Sequence, residues 1–329
     1  MLNKINMLKQ MLSGDIDMSD ETLALYSHDA SLFEIRPRMI VFPKNAKDIK
    51  TLVNWVNEHK AEDPSLSITA RCAGTCMSGG AIGSSIIVDF TRYMNEIIEI
   101  KDDYAVVMPG CMYRDFDKAT KAIGKYMPAY TASREINAVG GMVGNNSGGE
   151  KSIKYGKTEN YINSLKVILS DGNEYEIKAL NKDELEAKIT NKVQEVSKNF
   201  EIELYRNIHK LIMDNYEKIM SAKPDVSKNS AGYYLWNVYN RETGIFDLCR
   251  LIVGSQGTLG IVIEIKFKII PFEKYSNILA VFIPSIDHVS KLVNEILPWK
   301  PDSLETYDDK SMILAVRFFF DFFNDYTGL

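Results

Sequence analysis

The sequence predicts a mixed α+β chain in two or three pieces, and three observations predict it. Short apolar runs of strand length, bounded by turn residues, recur over residues 38–108 and again over 162–178. A charged, glycine-poor helical stretch at about 180–222 separates them from a late alternating run with apolar Ile261, Ile263, Ile265 and Phe267. Glycine is also unevenly placed: of 20 in the chain, thirteen lie between Gly74 and Gly172. Loops rather than helices should therefore carry the function.

Element by element, residues 1–35 read as helical, with Ser19 as a cap before the acidic Asp20 and Glu21. RMIVFP (38–43) is a strand closed by Pro43. Asn45 caps a helix whose Ile49, Leu52, Val53 and Val56 share one face. LSITAR (66–71) and SIIVDF (85–90) are strands separated by a glycine-rich turn, which makes residues 38–90 a βαβ-like unit. Further strands are expected at 95–100, 104–108, 162–169 and 174–178, and a helix over Tyr113–Ile123 with Phe116, Ala119 and Ile123 inward. LCRLIVGS (248–255) reads as a return to strand, as does SNILAVFIP (276–284). Ser285–Leu297 reads as a helix with Val289, Leu292, Val293 and Ile296 on one face, and a last helix starts near Lys310.

Composition narrows the function classes. Among 329 residues, 39 Lys and Arg against 44 Asp and Glu leave a net charge of −5, with the charges mixed, so there is no footprint for nucleic acid. No apolar run approaches the roughly eighteen residues of a membrane span. The first residues lack an apolar core and a small-residue cleavage site, so no signal peptide is expected. Cys72, Cys76, Cys111 and Cys249 make no disulfide framework and point to a reducing, cytoplasmic compartment.

Three glycine-rich segments stand out. RCAGTCMSGGAIG (71–83) follows a strand, and successive backbone N–H groups in such a turn can form an anion nest. It is neither a phosphate loop ending in Gly-Lys-Ser/Thr nor a G-x-G-x-x-G fingerprint opening a helix. AVGGMVGNNSGG (138–149) and RLIVGSQGTLGIV (250–262) are the others. Three separated small-residue loops suggest one extended ligand touched by backbone, a shape that a dinucleotide has.

These segments carry a resemblance. RCAGTCMSGGAIGSSIIVDFTRYMNEI, VMPG (107–110), INAVGGMVGNNSGGEKSIKYGKT and VILSDG (167–172) resemble the FAD-binding fold of the vanillyl-alcohol-oxidase (PCMH-type) superfamily. GSQGTLGIV, KNSAGYYL (228–235) and YSHDASLFEIRPRMIVFP (26–43) are similar to its lactate and glycolate dehydrogenase branch, in particular members working with a cysteine-rich iron–sulfur module. The resemblance covers roughly residues 22–307. It implies an N-terminal helical segment (1–35), a two-subdomain FAD-binding domain (36–271) interrupted by the helical excursion, and the start of an α+β substrate cap (272–329). That cap would begin near Phe272, with PDSLETYDD (301–309) resembling its familiar start, and end about fifty residues later.

The resemblance also implies roles. Arg71, Cys72, Ala73, Gly74, Thr75, Cys76, Met77 and Ser78 would wrap the FAD pyrophosphate. Thr75 stands where relatives with covalent flavin carry histidine, which implies non-covalent FAD. Ser133, Gly140, Gly141, Gly144, Asn145 and Asn146 would lie along the flavin and its ribityl chain, with Ile261 and Val262 touching it through backbone. Lys228, Asn229 and Tyr233 would approach the substrate side. The implied activity is oxidation of a small 2-hydroxy acid of the D-lactate, glycolate or D-2-hydroxyglutarate class. Electrons would pass to a separate iron–sulfur subunit, another carrier protein or a quinone. The competing readings are a non-catalytic or truncated flavin-binding subunit and a UDP-N-acetylmuramate-type reductase.

Other residues take plainer readings. The Cys72–Cys76 pair lacks the partner ligands that zinc or an iron–sulfur cluster requires, so no metal is assigned. Cys111 and Cys249 read as core, His288 as solvent-facing, and Arg36 and Arg38 as surface arginines. The tail with Phe318, Phe319, Phe320, Phe322 and Phe323 reads as a buried cap or partner contact, and any membrane association as peripheral, at the inner face.

Overall fold

The computed structural model describes residues 2–190, 196–226, 229 and 232–319. They divide into two compact units, Met1–Gly149 with Lys157–Phe272, and Glu150–Gly156 with Glu273–Leu329.

The first unit begins with α1 (Leu2–Met11), β1 (Asp15–Asp17) and α2 (Asp20–Leu25). Ser19 caps α2, its Oγ accepting from the Thr22 N–H at 3.4 Å. Residues 1–35 are thus not helical throughout: Ile16 pairs antiparallel with Val41, and residues 26–35 form turns. Alternation explains the difference, because Asp-Ile-Asp buries only Ile16 in an extended conformation. β2 (Met39–Phe42) leads into α3 (Ala46–His59), where Asn45 Oδ1 accepts from the Asp48 N–H at 3.1 Å and the predicted apolar face is buried with Trp55. β3 (Ile68–Arg71) and β4 (Ile86–Asp89) complete a sheet ordered β1-β2-β4-β3. β4 runs parallel to both neighbours, and β2 and β4 are buried along their whole length, as strands covered on both faces are.

The chain continues through β5 (Ile97–Ile100), β6 (Tyr104–Val107), α4 (Tyr113–Lys121), β7 (Lys125–Tyr126) and α5 (Val139–Asn145). After α6 (Ser152–Tyr155), which belongs to the second unit, come β8 (Ile162–Ile168), β9 (Glu174–Leu180) and the helices α7 (Lys182–Thr190), α8 (Val196–Asp214) and α9 (Tyr216–Ser221). β10 (Phe246–Asp247), α10 (Cys249–Ile252), β11 (Ile261–Lys268) and β12 (Ile270–Pro271) close the unit. The second sheet is ordered β10-β9-β8-β11-β6-β5 and is antiparallel throughout. β11 lies between β8 and β6 with Ile261, Ile263, Ile265 and Phe267 buried, as its alternation predicts. One apolar cluster runs from α1 and α3 through β2 and β4 to Ile168, Ile261 and Ile263, so both sheets share a core.

Two expectations in this unit are corrected. α4 stops at Lys121, so Ile123 leaves the helical phase and is 49% exposed, while Tyr113, Phe116 and Thr120 face inward. Residues 249–252 form a helical turn rather than a strand, started by Asp247 Oδ1 accepting from the Cys249 N–H at 2.9 Å. Short apolar runs do not distinguish the two conformations. Arg36 and Arg38 do lie at the surface, paired with Asp20 and Asp63, each at 2.6 Å.

Cys111 and Cys249 are buried, as expected of core residues. Burial pushes the Cys111 thiol from its ordinary 9.0 up to about 12, and the Cys249 thiol well above 9.0. Both stay protonated in the fold and ionise in the unfolded chain above pH 9, so their stabilisation is complete below pH 9 and falls as pH rises above it, for Cys111 up to about 12. Stability should fall by about 1.4 kcal/mol per pH unit per thiol in that window. Urea midpoints at about pH 8 and about pH 10.5 test this, and Cys111→Ala should flatten the slope.

In the second unit, α11 (Val289–Ile296) half-buries Val289, Leu292, Val293 and Ile296, and α12 (Asp309–Phe318) follows. Lys154 donates to Asp302 at 2.6 Å and Glu273 at 3.0 Å, which lowers the Asp302 carboxyl below its ordinary value. The strand expected over 276–284 is absent: Ile278, Leu279 and Phe282 are 96%, 82% and 94% exposed. Among the described residues nothing pairs with that segment, and a lone strand has no ladder to satisfy its backbone. His288 is exposed, as are Phe318 and Phe319; Phe320, Phe322 and Phe323 lie outside the described residues.

Candidate functional site

The three glycine-rich segments line one cleft in the first unit, with a cavity of about 160 Å³. The first wall leaves β3 at Arg71 and turns at Gly74, whose φ is +67°. That conformation suits glycine, and a Cβ there would also stand 2.5 Å from Arg71 Nη2. The Arg71 guanidinium lies under this loop, donating to the carbonyls of His28 at 2.7 Å and Ala81 at 3.2 Å and covering the Tyr26 ring at 4.9 Å. Tyr26 in turn donates to buried Asp89 at 2.8 Å. Burial lowers the Arg71 pKa, with Asp89, Tyr26 and Asp29 opposing the shift. Among the described residues, the backbone N–H groups of Thr75, Cys76, Met77 and Ser78 donate to no protein acceptor. A positive side chain beneath a loop of free N–H groups is an anion nest.

The second wall is α5. The Gly140 N–H donates to the Pro109 carbonyl at 2.8 Å, and a Cβ on Gly140 would meet Pro109 Cβ at 2.6 Å and Cys72 Sγ at 2.9 Å. Cys72 donates to the same carbonyl at 3.3 Å, and burial pushes its thiol up to about 12. The first two walls therefore touch along a line where no side chain fits. α5 ends at Asn146, which has φ 48° and a side-chain Oδ1 that accepts from the Glu159 N–H at 3.0 Å.

The third wall is laced to the second. The Gly254 N–H donates to Val143 O at 2.9 Å and the Gln256 N–H to Gly144 O at 2.8 Å. Gln256 Nε2 donates to Asn145 Oδ1 at 2.8 Å, while its Oε1 lies 2.8 Å from where a Gly80 Cβ would be. Gln256 thus reaches all three segments, and it does so from φ 54°, a left-handed conformation that costs a non-glycine residue about 1 kcal/mol or more.

Of the residues singled out in the sequence, Arg71, Cys72, Ala73, Gly74, Thr75, Cys76, Ser133, Gly140, Gly141, Gly144, Asn145 and Val262 line the cleft. Met77 is 83% exposed and Ser78 is exposed, and neither lines it. Asn146 is buried behind α5, and the Ile261 side chain points into the core. Tyr233 OH pairs with Thr258 Oγ1 at 2.7 Å outside the lining. Asn229 O accepts from the buried Lys157 Nζ and from Tyr234 OH. Lys228 lies outside the described residues.

Sequence reasoning missed Gly80, Ala81, Pro109, Asn137, Ser147 and Gln256, all in the lining. Gln256 carried a signal, as the one bulky polar residue between Gly254 and Gly257 in an otherwise small-residue turn. Asn137 carried a weaker one, a polar residue next to AVGG.

The cleft fits an extended ligand with an anionic centre. Backbone and small residues make its walls, Cβ atoms are excluded at Gly74, Gly80 and Gly140, and a buried acceptor, Asn137 Oδ1, has no protein partner. The described residues hold no group of three or more potential metal ligands, and none of their helices is long and apolar enough to cross a membrane.

Comparison with known proteins agrees with this geometry. Residues 37–178 match the FAD binding domain family. The chain is 28% identical to a D-2-hydroxyglutarate dehydrogenase of Haemophilus influenzae over 93% of its own length and 30% of that protein's. It is 27% identical to the glycolate oxidase subunit GlcD of Bacillus subtilis, over 91% of this chain and 52% of that one. The chain thus spans between about a third and a half of the relatives it matches. In structure it is similar to an alkyldihydroxyacetonephosphate synthase, with a TM-score of 0.64 at 16% identity over 99% of this chain and 53% of the other, a likeness of fold.

Proposed function

Starting from a chain that belongs to the FAD-linked oxidoreductases of the vanillyl-alcohol-oxidase (PCMH-type) superfamily, we propose that it takes part in the oxidation of a 2-hydroxy acid to the 2-oxo acid. The observation that carries the cofactor is the convergence of three glycine-rich segments on one cleft, with a row of N–H donors beside Arg71 that no protein acceptor takes. Relatives named for D-2-hydroxyglutarate and for glycolate support that substrate class, and D-lactate is the third candidate.

Bound FAD supplies a two-electron sink for the hydride on the substrate's α-carbon. The chain's residues hold and shield it. The N–H groups of Thr75 and Cys76, which line the cleft, would hold the pyrophosphate, and Arg71 would add charge from below. Ala138 to Asn145 would hold the flavin and ribityl side, where Gly140 and Gly141 leave the backbone open to a ring. Gln256 and Asn145 tie the third wall to the second at the cleft. We assign residues 36–271 to the cofactor domain and 272–329 to the start of the substrate cap. Asn229 and Tyr233 would stand on the substrate side, and a separate carrier, an iron–sulfur subunit or a quinone would take the electrons. Four free thiols suit a cytoplasmic location.

Anaerobic titration of the FAD-loaded protein with D-2-hydroxyglutarate, glycolate and D-lactate tests the activity. Bleaching of the flavin's visible absorption by one of them supports it. A flavin that bleaches with NADPH and none of the acids overturns it, and a chain that stays colourless with FAD overturns the cofactor reading as well. Thr75 makes a further prediction: acid precipitation should release all the flavin into the supernatant, and a yellow pellet would contradict non-covalent binding.

A further inference from the structure

Asn137 is 3% exposed and lines the cleft. Its backbone N–H donates to Ser133 O at 2.9 Å, and its backbone carbonyl accepts from the Tyr113 N–H at 3.0 Å. Its Nδ2 donates to Thr131 Oγ1 at 2.7 Å, and that hydroxyl is fixed in turn by Ser133 Oγ at 2.9 Å. Three of the residue's four polar groups are therefore satisfied. The fourth, Oδ1, is buried and has no partner. A buried carbonyl without a donor destabilises the fold, and native interiors contain few of them. The residue that carries it lines a cleft whose other walls are backbone and small side chains.

We infer that Asn137 Oδ1 is a binding group of the cleft, accepting a hydrogen bond from a hydroxyl or N–H group of the cofactor. The inference rests on the reading of the cleft as an FAD site. The chemistry of the acceptor restricts its partner. An ionised pyrophosphate carries only acceptors, so Asn137 reads a different part of the molecule from the Thr75–Ser78 loop. The donors that FAD offers are the ring imide N–H and ribityl hydroxyls of its flavin half, and the ribose hydroxyls and adenine amine of its adenylate half. Asn137 thus adds a side-chain contact to a site otherwise built from backbone.

The test separates a binding role from a structural one by sign. Asn137→Leu keeps the volume, leaves Thr131 paired with Ser133, and removes the orphan carbonyl. If Oδ1 serves the ligand, the dissociation constant for FAD, read by fluorescence quenching on the flavin-free protein, rises about tenfold. The melting midpoint of the flavin-free protein meanwhile stays unchanged or rises. Asn137→Ala, which adds no bulk, is read in the same two assays if the leucine variant does not fold. Riboflavin and ADP as separate probes locate the donor: weakened riboflavin binding assigns it to the flavin half, and weakened ADP binding to the adenylate half. An FAD dissociation constant within about twofold of the unsubstituted protein overturns the inference. So does a lowered melting midpoint of the flavin-free variant, which would make Asn137 a structural residue. Failure of the unsubstituted chain to bind FAD at all overturns the cofactor reading itself, and the inference with it.

Discussion

Gly140→Ala should cost the chain most of its FAD affinity, about a hundredfold or more, while leaving both sheets assembled. The added Cβ would stand 2.6 Å from Pro109 Cβ, 2.8 Å from the Pro109 carbonyl and 2.9 Å from Cys72 Sγ. None of these can yield cheaply. Pro109 is held by its ring and by the hydrogen bond from the Gly140 N–H, and Cys72 leads directly out of β3. The start of α5 must move off instead, and it carries Gly141, Gly144 and Asn145 away from the first wall. Overpacking of this kind costs about 1–3 kcal/mol of stability, within what a domain of this size tolerates. Fluorescence titration with FAD, alongside thermal unfolding of the flavin-free protein, separates the two effects. Unchanged affinity would mean that the cofactor does not use this wall.

Phe267→Ala should lower global stability by about 3–5 kcal/mol. Phe267 has no exposed surface, sits on the central strand β11, pairs with Ala105 on one side and Ile162 on the other, and lies 5.5 Å from the Phe116 ring. Its removal opens a cavity where α4 meets the second sheet, and the strands on either side cannot collapse into it without breaking their registers. Chemical denaturation should show a lower midpoint at unchanged slope, whereas a loss below about 1 kcal/mol would mean that the sheet has repacked.

How much of this was legible in the sequence depends on which interactions set each feature. β2, α3, β3, β4 and β11 are set locally, by period, by Asn45 as a cap and by Pro43 as a stop, and the structure has them within a residue or two. The short elements are not. Asp15–Asp17 becomes a strand because β2 offers an edge, Cys249–Ile252 becomes a helical turn because Asp247 caps it, and Ile278–Pro284 stays unpaired for want of a partner. The cleft divides in the same way. Glycine clusters announce themselves in any sequence, because few other reasons exist to spend that much chain entropy in one place. Asn137 and Gln256 leave only a faint trace, because each acquires its role when Thr131 or Asn145 is brought to it by the fold.

The walls of the cleft come from residues 70–81, 133–147 and 252–262, so the last arrives more than a hundred residues after the second. A nascent chain emerging from the ribosome therefore carries two thirds of the site through the synthesis of the whole helical excursion without being able to close it. Cofactor capture has to wait for β11 to slot between β8 and β6. Until then the exposed edges of those two strands are open to the wrong neighbour. In cells short of riboflavin the supply of cofactor should accordingly govern how much of this protein escapes proteolysis after synthesis, since a bound ligand at a hundred times its dissociation constant holds the finished arrangement by about 2.7 kcal/mol.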